Sequence, residues 1–323
     1  MFWFLSVLFI IFSNFIIITI SSFGDRSQYY VLCISDCNSK SCQIDGEFKQ
    51  YPSFDLRLLN WSCRDNCSYN CMWKTVNYFT THGLDVPQFH GKWPFIRIYG
   101  LQEPASALFS LFNLYEHVTK YLKFRKELNS SFPMVNVWTY FFTICTHGWL
   151  WSTIFHAKDE YFTEVMDYSC AFTTVLTLFY CFILRISYQD TLNIKIFSAT
   201  TCAYIGILLM HLSHLWSGRI NYGYNMKFNI AIGFITFVIT MIWWYRNRRK
   251  LPHVHLIGWF TVLTVTVTLL EVLDFPPIFW TFDAHSLWHA ATVPLVSLFY
   301  RFITLDCFYL RNQYLKLDEK YLL

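Results

Sequence analysis

The stretch FDAHSLWHAATVPL, residues 282–295, decides how the chain is read. From Ser286 it runs into an apolar segment that continues to about residue 308, long enough to cross a bilayer, which takes about 20 mostly apolar residues. His285 and His289 stand one helical turn apart at the mouth of that segment, where an ionisable side chain is costly and marks a functional site by default. Similar apolar segments recur at about 100–118, 135–157, 164–185, 196–216, 227–245 and 254–273, which gives seven with 286–308. Only 14% of the 323 residues are charged and 54% are hydrophobic. That is too little charge to clothe a soluble globule of this size; the net charge of +4 says little about partners because it sits in short loops, and no nucleic-acid partner is expected. The predicted fold class is an all-α membrane protein of seven transmembrane helices with a small N-terminal disulfide-rich lumenal domain.

The domain plan follows from composition. Residues 1–23 form an apolar leader that reads as a signal peptide, with an uncleaved signal anchor as the alternative. Residues 24–98 hold Cys33, Cys37, Cys42, Cys63, Cys67 and Cys71 and two sequons, at Asn60 and Asn66. An even cysteine number behind a leader predicts three disulfides in an oxidising lumen, with the pairing open. The spacings C-x3-C and C-x4-C speak against a zinc module. Residues 99–309 form the helical membrane domain and 310–323 a cytosolic tail. Cys145, Cys170, Cys181, Cys202 and Cys307 read as small buried hydrophobes.

Basic residues set the orientation. Lys120, Lys123, Arg125 and Lys126 lie between the first two segments, Arg185 and Lys195 between the third and fourth, and Arg246, Arg248, Arg249 and Lys250 between the fifth and sixth. The alternate loops are poorer, with Lys158 in one and Arg219 in another. The positive-inside rule makes the basic loops cytosolic. The N-terminal domain is then lumenal, and the sequon at Asn129 faces the cytosol.

Topology and register bring five polar residues from three segments to one depth near the lumen. Ser152 and His156 are four apart near the end of the second, Asp167 lies at the start of the third, and His285 and His289 open the seventh. Three histidines with an open fourth position are the ligand set of a catalytic zinc. Asp167 is then placed to take or orient the proton of a water, and Ser152 to hydrogen-bond the water or the oxyanion. The implied reaction is hydrolysis of an ester or amide in a lipid. His211 and His214, three apart in the fourth segment, read as packing residues. Glu271, Asp274 and Asp283 flank the last lumenal turn and read either as acceptors behind a histidine or as caps of the seventh segment, with Asp283 placed as the helix cap. His147, His253 and His255 have no such company and read as structural.

The blocks WLWSTIFHAKD, MDY, EPASALFSLFNL, YGYN, LPHVH and LLEVLDFPPIFWTFDAHSLWH resemble the post-GPI-attachment-to-proteins phospholipase family. The resemblance runs from the cysteine-rich segment through the seventh span. The pattern S-x3-H, an Asp eleven residues beyond that His, and H-x3-H is also that of the CREST superfamily, which includes alkaline ceramidases and adiponectin-receptor-like proteins. It matches Ser152, His156, Asp167, His285 and His289. The resemblance implies a zinc enzyme of the endoplasmic reticulum or Golgi that removes the sn-2 acyl chain from the phosphatidylinositol of GPI-anchored proteins. A ceramidase-like amidase, or a non-catalytic zinc-containing receptor or escort for GPI-anchored proteins, are the alternatives.

Overall fold

The computed structural model describes residues 23–188, 191 and 193–322, so the leader expected at residues 1–23 lies outside the described residues except for Phe23. The chain divides into two compact units between Pro94 and Phe95.

The first unit is built on α1 (Gln28–Ser41), the short α2 (Phe54–Leu58) and α3 (Cys63–Thr81). Ser27 caps α1 by accepting from the Tyr30 amide at 3.2 Å. Ser62 and Asp65 form a reciprocal capping box at the start of α3, which satisfies two of the amides a helix start leaves orphaned. Disulfides join Cys33 to Cys71, Cys37 to Cys67 and Cys42 to Cys63. The pairs are nested, so α1 and α3 run antiparallel with the sulfurs along one seam. The disulfide framework was expected here, but no helices. The overlooked signal is the four-residue spacing of Cys33 and Cys37, and again of Cys63, Cys67 and Cys71, which is one face of a helix. Removing the outermost cross-link with Cys33→Ser and Cys71→Ser is expected to cost about 2–4 kcal/mol. It should be read as faster proteolysis of this unit and a lower unfolding midpoint.

The second unit is a bundle of α4 (Pro104–Glu127), α5 (Val135–Ala157), α6 (Tyr161–Ser187), α7 (Ile194–Leu215), α8 (Tyr222–Asn247), α9 (Val254–Thr268) and α10 (Ala284–Leu322), with a 3-10 turn, Leu269–Val272, after α9. No helix or strand beyond these stands between Phe95 and Leu322 among the described residues. Helices α4, α5, α6, α8, α9 and α10 pack in sequence around a closed ring, with α10 returning to α4 and α7 lying against α6. Its core is aromatic: Trp138 of α5 meets Phe182 of α6 at 5.9 Å and Phe299 of α10 at 5.7 Å between ring centres.

Five of these helices are long and apolar enough to cross a membrane: α6, α7, α8, α9 with its extension to Glu271, and α10 as far as Gln313. The chain is thus a multi-pass membrane protein. Helix α4 is too polar to join that set by composition, and from Ser106 to Tyr115 its polar residues lie on the buried side. Ser106, Ser110, Asn113 and His117, at spacings of three and four, are buried, whereas Leu108, Leu111, Phe112 and Tyr115 are exposed.

Boundaries shift from the expected ones for local reasons. Helix α4 starts at Pro104, a residue suited to a first helical turn, and runs past the basic cluster to Glu127. Helix α10 continues through the expected tail to Leu322 because no Gly or Pro stops it after Pro294. Arg185, counted above as a loop charge, is buried against Asp306 of α10 and contributes no free charge to the loop. Cys202 is exposed, unlike the other four free cysteines.

Candidate metal centre

Helix α5 delivers His156 in its last turn. The chain leaving it is met by the start of α4: the amides of Gln102 and Glu103 donate to the carbonyls of Ala157 and His156 at 2.9 and 3.0 Å. These bonds satisfy carbonyls that a helix end otherwise leaves without donors. They also hold the Glu103 carboxylate beside the histidine ring, and His156 Nδ1 lies 2.7 Å from Glu103 Oε2. Helix α10 begins with Asp283 accepting from the Ser286 amide at 2.9 Å, the capping role read from sequence. His285 follows, with Nδ1 at 2.8 and 2.9 Å from the two oxygens of Glu271 on the 3-10 turn.

The three Nε2 atoms converge. His285 Nε2 is 3.3 Å from His156 Nε2 and 2.9 Å from His289 Nε2. Each carboxylate accepts from the Nδ1–H of its histidine, which fixes that tautomer and turns a bare lone pair outward at Nε2. With both Nδ1–H groups so committed, the Nε2 lone pairs of His156 and His285 face each other across 3.3 Å, a repulsion that a metal ion or a proton shared between the rings relieves. The donor set fits a metal ion: three imidazoles, two backed by carboxylates, with His156 and His289 buried and His285 partly so. Zinc suits it, as do other transition metals that take imidazole. The sulfurs of Cys42, Cys63 and Cys67 also lie close together, but all three are in disulfides and have no thiolate to offer.

Ser152, one turn before His156, is buried with Oγ 3.1 Å from Ser110 Oγ. Ser110 donates to the Ser106 carbonyl at 2.8 Å, so the hydrogen between the two serines comes from Ser152. Asp167 is half-buried in the second turn of α6. Its neighbour Tyr168 meets Phe155, the residue before His156, at 6.3 Å between rings, which sets Asp167 at the level of His156 on the adjacent helix. His211 and His214 stand apart from the three converging histidines. His211 is buried, 3.1 Å from Asn225 Oδ1 and stacked on Phe172 at 3.8 Å, and His214 lies against Tyr224 at 4.1 Å.

Glu103, Ser110 and Asn113 are given no role by the sequence. The signal was present as polar residues at 103, 106, 110, 113 and 117 along an otherwise apolar helix.

A multi-pass helical protein with a carboxylate-backed three-histidine site and a disulfide-linked N-terminal unit is the class these features define. The chain belongs to the Per1-like family, whose model matches residues 53–307. It is 39% identical over 289 residues to Post-GPI attachment to proteins factor 3 of Drosophila melanogaster, covering 87% of this chain and 88% of that one. It is also 39% identical to GPI-specific phospholipase A2-like PGAP3 of Cricetulus griseus, and 38% identical to the Homo sapiens protein of the same name. Each of these two matches spans 293 residues, 90% of this chain and 91% of the other. No solved structure matches the chain.

Proposed function

We propose that the chain is a zinc-dependent, GPI-specific phospholipase A2-type hydrolase that removes the sn-2 acyl chain from the phosphatidylinositol of GPI-anchored proteins. The observation that carries this reading is the convergence of three Nε2 atoms with two Nδ1–H groups committed to Glu103 and Glu271. The relatives' printed names supply the substrate class.

His156, His285 and His289 hold the metal. The chemistry zinc supplies when bound is acidification of water to a pKa of about 7 and polarisation of an ester carbonyl. Asp167 takes a proton from the attacking water, whose oxygen adds to the acyl carbon; the carbon–oxygen bond to glycerol then breaks, Asp167 returns that proton to the lyso alkoxide, and the fatty acid leaves. Ser152 offers its lone pairs to the water while its hydrogen rests on Ser110, and supports the oxyanion once that hydrogen is exchanged.

All seven helices α4–α10 cross the bilayer in this reading, α4 with its polar face inward and its apolar face to lipid. Residues 24–98 form a lumenal domain, 99–309 the hydrolase domain, and the site opens to the lumen of the endoplasmic reticulum or Golgi. The leader is cleaved and the C-terminus is cytosolic. Asn60, exposed just ahead of α3, and Asn66, in the first turn of α3, are the glycan acceptors. An ester just below the headgroups matches a site at the ends of helices.

The test is metal removal. Purified protein is expected to carry about one zinc per chain, the occupancy of a single catalytic site. Stripping it with a chelator should abolish release of fatty acid from a GPI substrate, and zinc should restore it. Full activity in metal-free protein would sink the proposal.

A further inference from the structure

Helix α10 carries two of the three histidines on the turns that precede Pro294. A proline inside a helix has no N–H to give, and its ring crowds the carbonyl four residues back. The carbonyl of Ala290 loses its helical donor, and the helix is weakest just after His289. Within a membrane such breaks persist only where neighbouring helices and Ser or Thr side chains satisfy the freed backbone.

Side-chain bonds of this kind fall on the carbonyl next to the freed one, that of His289. Asn113 of α4, fully buried, donates from Nδ2 to the His289 carbonyl at 2.9 Å and to the Phe109 carbonyl at 3.0 Å. Thr292 donates to the same His289 carbonyl at 2.8 Å, and its Oγ1 stands 3.2 Å from Asn113 Oδ1. The Nδ2 side of the amide is thus fixed by two carbonyls, and the one Thr292 hydrogen is shared between the His289 carbonyl and Asn113 Oδ1. The His289 ring has less support of its own. It is packed beside Trp149 and Trp288, and its Nδ1 is buried with no hydrogen-bond partner. His156 and His285 each have a carboxylate to set the ring; His289 is held through its main chain instead.

We infer that Asn113 is a positioning residue of the histidine site, clamping the backbone of α10 at His289 against the break at Pro294 so that the third imidazole meets the other two. The inference rests on the metal reading above. It assigns one task to the whole polar face of α4. Glu103, at the N-cap of α4, sets His156; two turns on Ser110 receives Ser152, and one turn further Asn113 bonds the His289 carbonyl. A buried amide in a membrane-embedded bundle is costly unless bonded, and here its bonds end on a ligand residue.

The experiment compares wild type with Asn113→Ala, Asn113→Leu and Thr292→Val as full-length purified proteins. Zinc affinity is measured by competition with a chromophoric chelator, and hydrolysis is assayed with and without added zinc. Removing a group that orients a ligand typically weakens metal affinity by about 10–100-fold, and that loss is expected for both Asn113 variants. Added zinc should bring their hydrolysis back toward wild type. Thr292→Val should weaken zinc binding in the same direction and by less, and it serves if the Asn113 variants do not fold. Wild-type zinc affinity in Asn113→Leu, or in Thr292→Val where the Asn113 variants do not fold, overturns the inference even where the unfolding midpoint falls. Wild-type protein that binds no zinc overturns the metal reading itself, and the inference with it.

Discussion

Asp167→Asn is expected to lower hydrolysis of a GPI substrate by about 10²–10⁴-fold, the usual contribution of a positioned general base, while zinc content stays at the wild-type level. Three other carboxylates lie near the histidines and all are committed, Asp283 to the Ser286 amide at the start of α10. Glu103 and Glu271 accept the Nδ1 hydrogens of His156 and His285, and protonating either would release the ring it orients. Asp167 comes from a different helix, α6, at the depth that the contact between Phe155 and Tyr168 defines. Asparagine keeps the size of aspartate and can still hydrogen-bond, but it cannot take a proton. The two quantities separate three readings. Rate lost with zinc retained assigns Asp167 to the proton. Rate and zinc lost together would make it a group that holds the metal. Unchanged processing of GPI-anchored proteins by Asp167→Asn would favour a non-catalytic escort.

The features that the sequence disclosed and those it hid differ in physical kind. Apolar segments of spanning length are local properties, and each of the seven foreseen segments overlaps a helix from α4 to α10. His285 and His289, four apart on one helix, are also local, and helical geometry alone puts them on one face. Bringing His156 to them needed only the alternation of chain direction between successive segments. What stayed hidden depends on pairing between distant parts of the chain. Glu103 reaches His156 across 53 residues and Asn113 reaches the His289 carbonyl across 176. Nothing in either residue's neighbourhood names its partner. The same holds for the disulfide pairing, which the sequence left open. Arg185 shows how a local rule misleads: it stands where a cytosolic loop charge is expected, yet its guanidinium turns inward to a carboxylate 121 residues away.

Asp306→Ala is expected to destabilise the helical unit by about 3–5 kcal/mol, the scale for stripping one partner from a buried ion pair. Asp306 is fully buried on α10. It accepts two hydrogen bonds from Arg185 of α6, one of them at 2.7 Å, and lies 2.9 Å from His253 Nε2 at the start of α9. The Arg185 guanidinium also stands 5.0 Å over the ring of Trp243 on α8. Four helices therefore meet at one buried carboxylate, and without it a guanidinium remains in an apolar interior with only an aromatic face for company. The attraction within such a group has to offset the cost of taking its charges out of water, and replacing the whole set by apolar residues is often neutral or stabilising. The triple variant Arg185→Met, His253→Leu, Asp306→Leu should accordingly unfold at a higher temperature than Asp306→Ala. Zinc affinity should be unchanged in both, because none of the three side chains bonds to the histidine site. A triple variant as unstable as Asp306→Ala would show that the three groups stabilise the bundle through their mutual bonds and not merely by avoiding an unpaired charge.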